Sequence, residues 1–366
     1  MTVHFVYVKG SGIETPRAIT NELAKRLAKK YEVKVYDWTE NLSIKPNEGD
    51  ILLGHPNPQK NTIFRKSFWN KGWKKRIIIY PFQHYIPETS AFIDPLIVNA
   101  DSYLAICGKY WIDTIPESLF SHWQPKITRL DLAVRRDHFP FVKQSFAPAG
   151  QRRFLYIGNT QKYKGCDYLA EIAEANPHFH IGWIGQGEMP SKRIAAYGYQ
   201  VFSESSALEL ISSYDFLLTC GVADPNPTTI LEAASWGLIP ICTPQSGYYN
   251  EDWLVNIPFG DVVEASRILN LYNSLPESQL REYQQLSSKK LENYYNWNRF
   301  AEEVIDCIEA PKQDYSSSTY TQDRFRSIAN RQALKRIVMQ NQLGQFKSRA
   351  KASVKRKLHY FNLFRK

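Results

Sequence analysis

Apolar residues fall in short runs separated by stretches of helical period. Val3–Val8 is a continuous run of β-branched and aromatic residues, the pattern of a strand buried on both faces. The glycine-containing loop Lys9–Thr15 follows. Pro16–Tyr31 then has Ile19, Leu23 and Leu27 at four-residue spacing, which predicts a helix with Thr15 as N-cap and Pro16 at its first position. Further strands are predicted at Glu32–Tyr36, Asp50–Leu53, Arg76–Tyr80 and Ser102–Cys107. Alternating strands and helices imply a parallel sheet covered on both sides.

The Pro-, Ala- and Gly-containing stretch Phe141–Arg152 interrupts this rhythm and reads as a linker. A second series follows it. Strands are predicted at Phe154–Ile157, His180–Ile184, Phe216–Thr219 and Ile239–Thr243, with helices at Asp167–Glu174, Ala207–Ser212 and Thr228–Ser235. Glu277–Cys307 is helical by pattern, Pro311–Thr321 reads as a mobile hinge, and Arg324–Lys366 as a basic helical tail. The expected fold class is α/β: two Rossmann-like domains facing a cleft, with a basic helical C-terminal tail. The expected boundaries are 1–145, 152–310 and 311–366. Ligands of open α/β sheets bind beyond the carboxyl ends of the strands, so two such edges facing one cleft suit two substrates.

Length agrees with two domains, since 366 residues exceed the roughly 150 of an ordinary domain. A composition of 43% hydrophobic and 22% charged residues is globular. No apolar run reaches the ~18–20 residues of a membrane span, and the N-terminus lacks the pattern of a signal peptide. The five cysteines, Cys107, Cys166, Cys220, Cys242 and Cys307, form no C-x-x-C pair, so a disulfide framework and a zinc cluster are disfavoured and a cytoplasmic location is expected. The net charge of +10 is unevenly held: residues 311–366 contain 14 Lys+Arg against two Asp+Glu, and the preceding residues 32 against 34. A near-neutral body with a basic tail argues against nucleic acid as the expected partner.

From Phe346, apolar residues recur at Ala350, Val354, Leu358 and Phe361, with Lys347, Arg349, Lys351, Lys355, Arg356 and Lys357 on other faces. A basic amphipathic helix over 345–366 suits an anionic membrane surface, which would make the protein peripheral on the inner membrane face.

The densest chemistry lies in Thr219–Gly247. A strand ends at the turn Asp224-Pro225-Asn226-Pro227, and a helix begins near Thr228 and Thr229. The free N–H groups of such a helix start suit a diphosphate. Asp224 sits eight residues before Glu232, and both carboxylates can accept hydrogen bonds from sugar hydroxyls.

This segment resembles the nucleotide-binding signature of the family 4 (group 1) retaining glycosyltransferases, which have the GT-B fold. Their pattern is Glu-x7-Glu-Ala followed by Gly-Leu-Pro-Val-Val-Ala-Thr. Here Asp224 takes the first acidic position, and Glu232-Ala233-Ala234 and Gly237–Thr243 match the rest. The resemblance implies that Glu232 holds the donor ribose and Asp224 the transferred sugar. Tyr156–Gly165 resembles the family's Gly-Arg-x4-Lys-Gly, implying that Gly158 approaches the donor and Lys164 pairs with its diphosphate. Asn159 stands where the family has Arg, with Lys162 as a stand-in cation. Weaker matches are Ile184–Glu188, Asp131–Phe139 through Phe139, and Trp297.

In the N-terminal half the resemblance implies that Gly10 and Gly12 approach the donor phosphates and that His84, after the Arg76–Tyr80 strand, lies near the anomeric carbon as a catalytic residue, with His55 as its competitor. No Asp-x-Asp motif occurs, which agrees with a metal-independent reaction without cofactor, using a nucleotide-diphosphate sugar as co-substrate. The implied activity is transfer of a sugar, with retention, to a glycan or lipid-linked acceptor hydroxyl in surface polysaccharide or glycolipid synthesis. The alternatives are a non-catalytic glycan or nucleotide binder on the same fold, a nucleic-acid-binding protein acting through the tail, and a sugar-nucleotide epimerase.

Overall fold

A computed structural model describes residues 1–10, 14–58, 62–82, 85–312 and 328–344. Two six-stranded sheets form the frame, and every strand pairing in them is parallel. The first contains β1 (Thr2–Tyr7), β2 (Glu32–Asp37), β3 (Ile51–Gly54), β4 (Lys75–Pro81), β5 (Ser102–Ile106) and β6 (Ile127–Arg129), in the order β2-β1-β3-β4-β5-β6. The second contains β7 (Arg153–Ile157), β8 (His180–Ile184), β9 (Ile194–Ala196), β10 (Phe216–Thr219), β11 (Ile239–Cys242) and β12 (Val255–Asn256), in the order β12-β11-β10-β7-β8-β9. The expected α/β class with two Rossmann-like units is therefore observed.

The helices are α1 (Glu14–Leu27), α2 (Ile63–Phe68), α3 (Pro87–Ile97), α4 (Lys109–Thr114), α5 (Cys166–Ala175), α6 (Ser205–Ser212), α7 (Thr228–Trp236), α8 (Val262–Ser274), α9 (Glu277–Asn293) and α10 (Trp297–Glu309), followed by α11 (328–344). The long helical pattern after Glu277 is two helices. Asn296 caps the second, its Oδ1 accepting from the backbone N–H of Asn298 and of Arg299, both at 3.0 Å. One expectation is corrected: α1 begins at Glu14, so Thr15 and Pro16 lie inside its first turn, where a missing proline N–H costs no helical bond. Freed from capping, the Thr15 hydroxyl meets that of Thr228 at 3.3 Å, across the two halves.

The sheet strands are apolar because both faces are covered. On β1, Val3, Phe5 and Tyr7 join one core while Val6 joins another. The first of these cores is continuous between the halves. It runs from β1 and α1 through Leu130–Val134 to α7 and the inner faces of α9 and α10. Helix α10 packs on α1 and β4, returning the chain to the first sheet. The linker is held as well. Asp215 lies buried between Lys143 Nζ (2.8 Å), the Ala147 amide (3.0 Å) and the Arg153 amide (2.8 Å). These contacts tie the linker to the amino-terminal ends of β7 and β10.

Candidate functional site

The carboxyl end of β7 carries Gly158 and Asn159. Gly158 has φ +152°, and a Cβ there would lie 2.7 Å from the Tyr156 hydroxyl. The adjacent strand end is equally tight, since a Cβ on Gly185 would lie 1.9 Å from the Gly158 carbonyl oxygen. Glycine at both positions lets two strand ends converge. Beyond them opens a cavity of about 720 Å³ lined by Gly158, Asn159, Gly185, Gln186, Tyr199 and Phe202, among others. The Asn159 side-chain oxygen accepts from the Gln161 amide at 3.1 Å, and its backbone oxygen accepts from the Tyr156 hydroxyl at 2.6 Å. Asn159 therefore shapes the loop, leaving its side-chain amide as the group that can serve a ligand.

Lys164 ends a short 3₁₀ turn, Lys162–Lys164. Gly165 follows in the left-handed region (φ +70°), where a Cβ would lie 1.8 Å from the Cys220 carbonyl oxygen. This close approach brings the Lys164 turn against the end of β10. The Lys164 Nζ then lies 2.5 Å from Asp224 Oδ2, with both side chains mostly buried. Burial alone lowers the lysine pKa, but the Asp224 carboxylate overrides it and holds the ammonium above its ordinary value. Lys162, the alternative cation, is exposed and does not line the cavity.

The Asp224–Pro227 turn is tied to the first half of the chain. Asn226 Oδ1 accepts from the Leu132 amide at 2.8 Å, and Asn226 Nδ2 donates to Asp131 Oδ1 at 3.3 Å. Asp131 is itself buried, receiving Tyr294 Oη at 2.7 Å and Arg129 at 2.7 Å. Its pKa is raised by burial, which the neighbouring Arg129 opposes. The Pro225 carbonyl accepts from the Gly108 amide at 2.8 Å, and the Asp224 carbonyl from Trp111 Nε1 at 3.3 Å. The departure from the family's glycine-rich turn thus has a physical reason: prolines and asparagine anchor this turn to α4 and Asp131.

Helix α7 begins at Thr228 after Pro227, and no side chain caps it. Thr228 and Thr229 are half-buried on its first turn. Glu232, one turn in, lines a second cavity of about 340 Å³ together with Thr15, Arg17, Arg135, Thr228 and Trp297. His138 and Phe139 line both cavities, and the smaller one lies between α1 and α7. Gly158 and Asn159 line the larger cavity, Thr228 and Glu232 the smaller. Lys164 and Asp224 meet as an ion pair in the loops at the carboxyl ends of β7 and β10.

The first-half residues divide. Gly10 is exposed at the end of β1, and a Cβ there would meet nothing within 4 Å, so the protein's own packing does not require glycine. Gly12, His84 and the 345–366 tail lie outside the described residues. His55 is a structural histidine. It packs among Tyr7, Trp38 and Tyr80, and its Nδ1 accepts from the Asn57 amide at 3.0 Å. Burial lowers its pKa to about 3.

Sequence reasoning did not foresee the place of His138, nor the stacking partner of Tyr85, one of the aromatics able to floor a sugar site. His138 lines both cavities, beside Phe139, which the sequence does single out. Tyr85 stacks on Tyr163 across the two halves, with ring centroids 5.0 Å apart. Tyr163 directly precedes Lys164, and Tyr85 directly follows His84, so proximity to those motifs was the available signal. Among the described residues no group of three His, Cys, Asp or Glu is arranged to hold a metal ion.

No sequence-family profile matches the chain, and no curated protein sequence does. Solved structures match at the level of fold. Sucrose-phosphate synthase from Thermosynechococcus elongatus aligns with a TM-score of 0.62 at 10% identity, covering 84% of this chain and 98% of that one. A glycosyltransferase from Rickettsia africae aligns at 0.58 and 11% identity, covering 84% and 97%. Anabaena HepE, solved in complex with UDP and glucose, aligns at 0.56 and 10% identity, covering 84% and 99%. The fold of this chain is the GT-B fold of such glycosyltransferases.

Proposed function

We propose that this protein is a glycosyltransferase that moves a sugar from a nucleotide-diphosphate donor to an acceptor hydroxyl, with retention of the anomeric configuration. The observation that carries the reading is convergence. Gly158 and Asn159, which match the resembled family's motifs, line the larger cavity, and Thr228 and Glu232 line the smaller one that shares His138 and Phe139 with it. The GT-B relative from Anabaena, solved with UDP and glucose, supports a nucleotide-sugar as the ligand.

In this reading residues 152–310 form the donor side and 1–145 the acceptor side. The base lies in the larger cavity, and the ribose reaches toward the smaller one, where Glu232 accepts from its hydroxyls. The uncapped start of α7, with Thr228 and Thr229, faces the diphosphate. Lys164 leaves Asp224 for the diphosphate and offsets the charge that builds on the departing nucleotide. Asp224 then accepts from the sugar hydroxyls. Gly10 and Gly12 approach the phosphates, and His84 serves the anomeric carbon from the acceptor side. The bond from the anomeric carbon to the diphosphate oxygen breaks. The acceptor oxygen bonds to that carbon, and its proton leaves with the nucleoside diphosphate. No metal or cofactor takes part, and the acceptor is a glycan or a lipid-linked sugar of a surface polysaccharide or glycolipid.

One observation favours a second reading. The Lys164 charge is already met by Asp224, and Asn159 supplies no cation, so a binder without turnover fits the same fold.

The test is a thermal-shift screen of UDP-, GDP- and ADP-sugars on wild type and Glu232→Ala, followed by nucleotide release. A carboxylate hydrogen bond to a hydroxyl is worth about 1.5–3 kcal/mol, so the variant should lose roughly 10- to 100-fold in donor affinity. Stabilisation without turnover would select the binder, and absence of stabilisation by any nucleotide-sugar would refute both readings.

A further inference from the structure

A departing nucleoside diphosphate carries more than one negative charge, so the site that holds it needs cations free to meet them. The second half of the chain offers few. Asn159 stands where the resembled family has Arg, Lys162 is exposed and lines neither cavity, and the Lys164 charge is met by Asp224 at 2.5 Å. Among the described residues no Lys or Arg lines the larger cavity. Two arginines line the smaller one, and both come from the first half. Arg135 is already committed: its Nη2 lies 2.9 Å from Asp137 Oδ2 and its Nε 3.6 Å from Glu22 Oε1. The Arg17 side chain makes no ion pair or hydrogen bond with another described residue.

The place of Arg17 follows from the sequence of α1. Ile19, Leu23 and Leu27 bury one side of the helix in the core. Arg17, Ala18 and Asn21 fall within about 100° of one another on the other side, and all three line the smaller cavity. Thr20 Oγ1 donates to the Val8 carbonyl at 2.6 Å and so ties the helix to the end of β1. The Thr15 hydroxyl meets that of Thr228 at 3.3 Å, which brings the start of α7 to the same cavity. On α7, Thr228 and Glu232 are four residues apart, hence about 6 Å apart along one face. The cavity therefore presents a helix start and a cation first, and a carboxylate further along. A nucleotide presents its groups in the matching order, phosphates and then ribose hydroxyls.

We propose that Arg17 binds a diphosphate, that of the donor, and holds it between α1 of the first half and the start of α7 of the second; the identity of the donor rests on the sugar-transfer reading. A guanidinium offers parallel N–H donors that match two phosphate oxygens. Arg17 gives up no ion pair when it binds, whereas Lys164 must first leave Asp224. Two consequences follow. A nucleoside diphosphate binds much more tightly than its nucleoside, and the first half contributes to donor affinity through one side chain.

The test is calorimetric titration of the full chain with UDP, GDP and ADP, with their nucleosides, and with inorganic pyrophosphate. Four proteins are compared: wild type, Arg17→Gln, Arg17→Lys and Lys162→Gln. Both substituted positions are exposed, so the variants should melt with wild type. Whichever nucleoside diphosphate binds wild type should bind Arg17→Gln about 10- to 100-fold more weakly, with nucleoside affinity within about twofold. Arg17→Lys keeps the charge without the fork and should recover part of the loss, and Lys162→Gln should match wild type. Diphosphate affinity unchanged in Arg17→Gln would overturn the proposal and leave the sugar-transfer reading standing. So would a loss shared equally by the nucleoside, or a loss in Lys162→Gln alone. Pyrophosphate bound through Arg17, with no binding of any nucleotide, would uphold the diphosphate site and overturn the sugar-transfer reading. Binding of neither would overturn both.

Discussion

Lys164 Nζ and Asp224 Oδ2 lie 2.5 Å apart, although sixty residues separate them in the chain. In the proposed donor site the pair would set two functions against each other, since a lysine neutralised by aspartate is a weaker anchor for a diphosphate. Asp224→Asn should free the ammonium. The variant is expected to bind free nucleoside diphosphate about fivefold tighter, a gain of ~1 kcal/mol, while nucleotide-sugar turnover falls by at least about tenfold. Lys164→Ala should do the reverse to affinity and leave a mostly buried carboxylate uncompensated, costing about 3 kcal/mol of stability. Titration calorimetry with the nucleoside diphosphate and urea unfolding measure the two effects. Equal loss of affinity in both variants would show that the pair acts only as a structural tie.

The second half of the chain was legible because its central strands are buried on both faces and bounded by turn residues. β7, β8, β10 and β11 were located within a residue or two. The short strands β6, β9 and β12 were not, since three or two residues carry no period. Helix α3 was hidden by Pro95 inside it and by polar residues, Glu88, Thr89, Ser90 and Asp94, that leave no clean helical period. Helix α8 did carry a signal, Asp261 followed by Glu264, and the Asp261 side chain does accept from the Glu264 amide at 3.0 Å. Within the site, Glu232 and Gly158 were singled out through the resembled family's motifs, and both line cavities. The Lys164–Asp224 pair was not, because it depends on Gly165 packing against Cys220, a tertiary contact.

The two halves touch backbone to backbone at Gly108 and Gly247. A Cβ on Gly108 would lie 1.9 Å from the Gly247 carbonyl oxygen, while its own φ of −81° suits any residue. Gly108→Ala therefore acts by steric displacement alone, without backbone strain. It should break the hydrogen bond that the Gly108 amide donates to the Pro225 carbonyl and loosen Trp111 from the Asp224 carbonyl. Because Glu232 and the β7 loop lie on the other half, donor affinity should stay within about twofold, while turnover falls at least about tenfold from misalignment of the halves. Donor titration and nucleotide release on the same preparation separate these effects. Matching losses in both would place the contact in donor binding instead.

His55 predicts a pH dependence of stability. Its folded pKa is about 3, against an ordinary 6.5. Between these values the unfolded chain binds a proton that the folded chain excludes, so stability is complete above 6.5 and is lost as pH falls toward 3. The slope from this one group is about 1.4 kcal/mol per pH unit. His55→Asn keeps an acceptor for the Asn57 amide and removes the titration. The stability difference between wild type and variant, from urea midpoints at pH 7 and pH 4.5, should therefore shift in favour of the variant at the lower pH. A difference independent of pH would mean that the ring is hydrated and free to protonate.

Asn159 offers the sharpest test of the donor site, because it occupies the position where the resembled family carries a cation. Its side chain borders the cavity of about 720 Å³, so a longer residue has room to extend. Asn159→Arg removes the acceptor for the Gln161 amide, at a cost of about 1 kcal/mol in stability. In exchange it adds a guanidinium beside the start of the Lys164 loop, where a charge-assisted bond to a phosphate is worth about 1.5–3 kcal/mol. The variant should therefore melt lower when free yet bind a nucleoside diphosphate about tenfold tighter, so that saturating nucleotide brings its melting temperature back to or above that of wild type. Affinity unchanged or weakened, with the fold intact, would mean that the diphosphate does not reach the β7 loop, and the donor would have to lie nearer Glu232 and Arg17 in the smaller cavity.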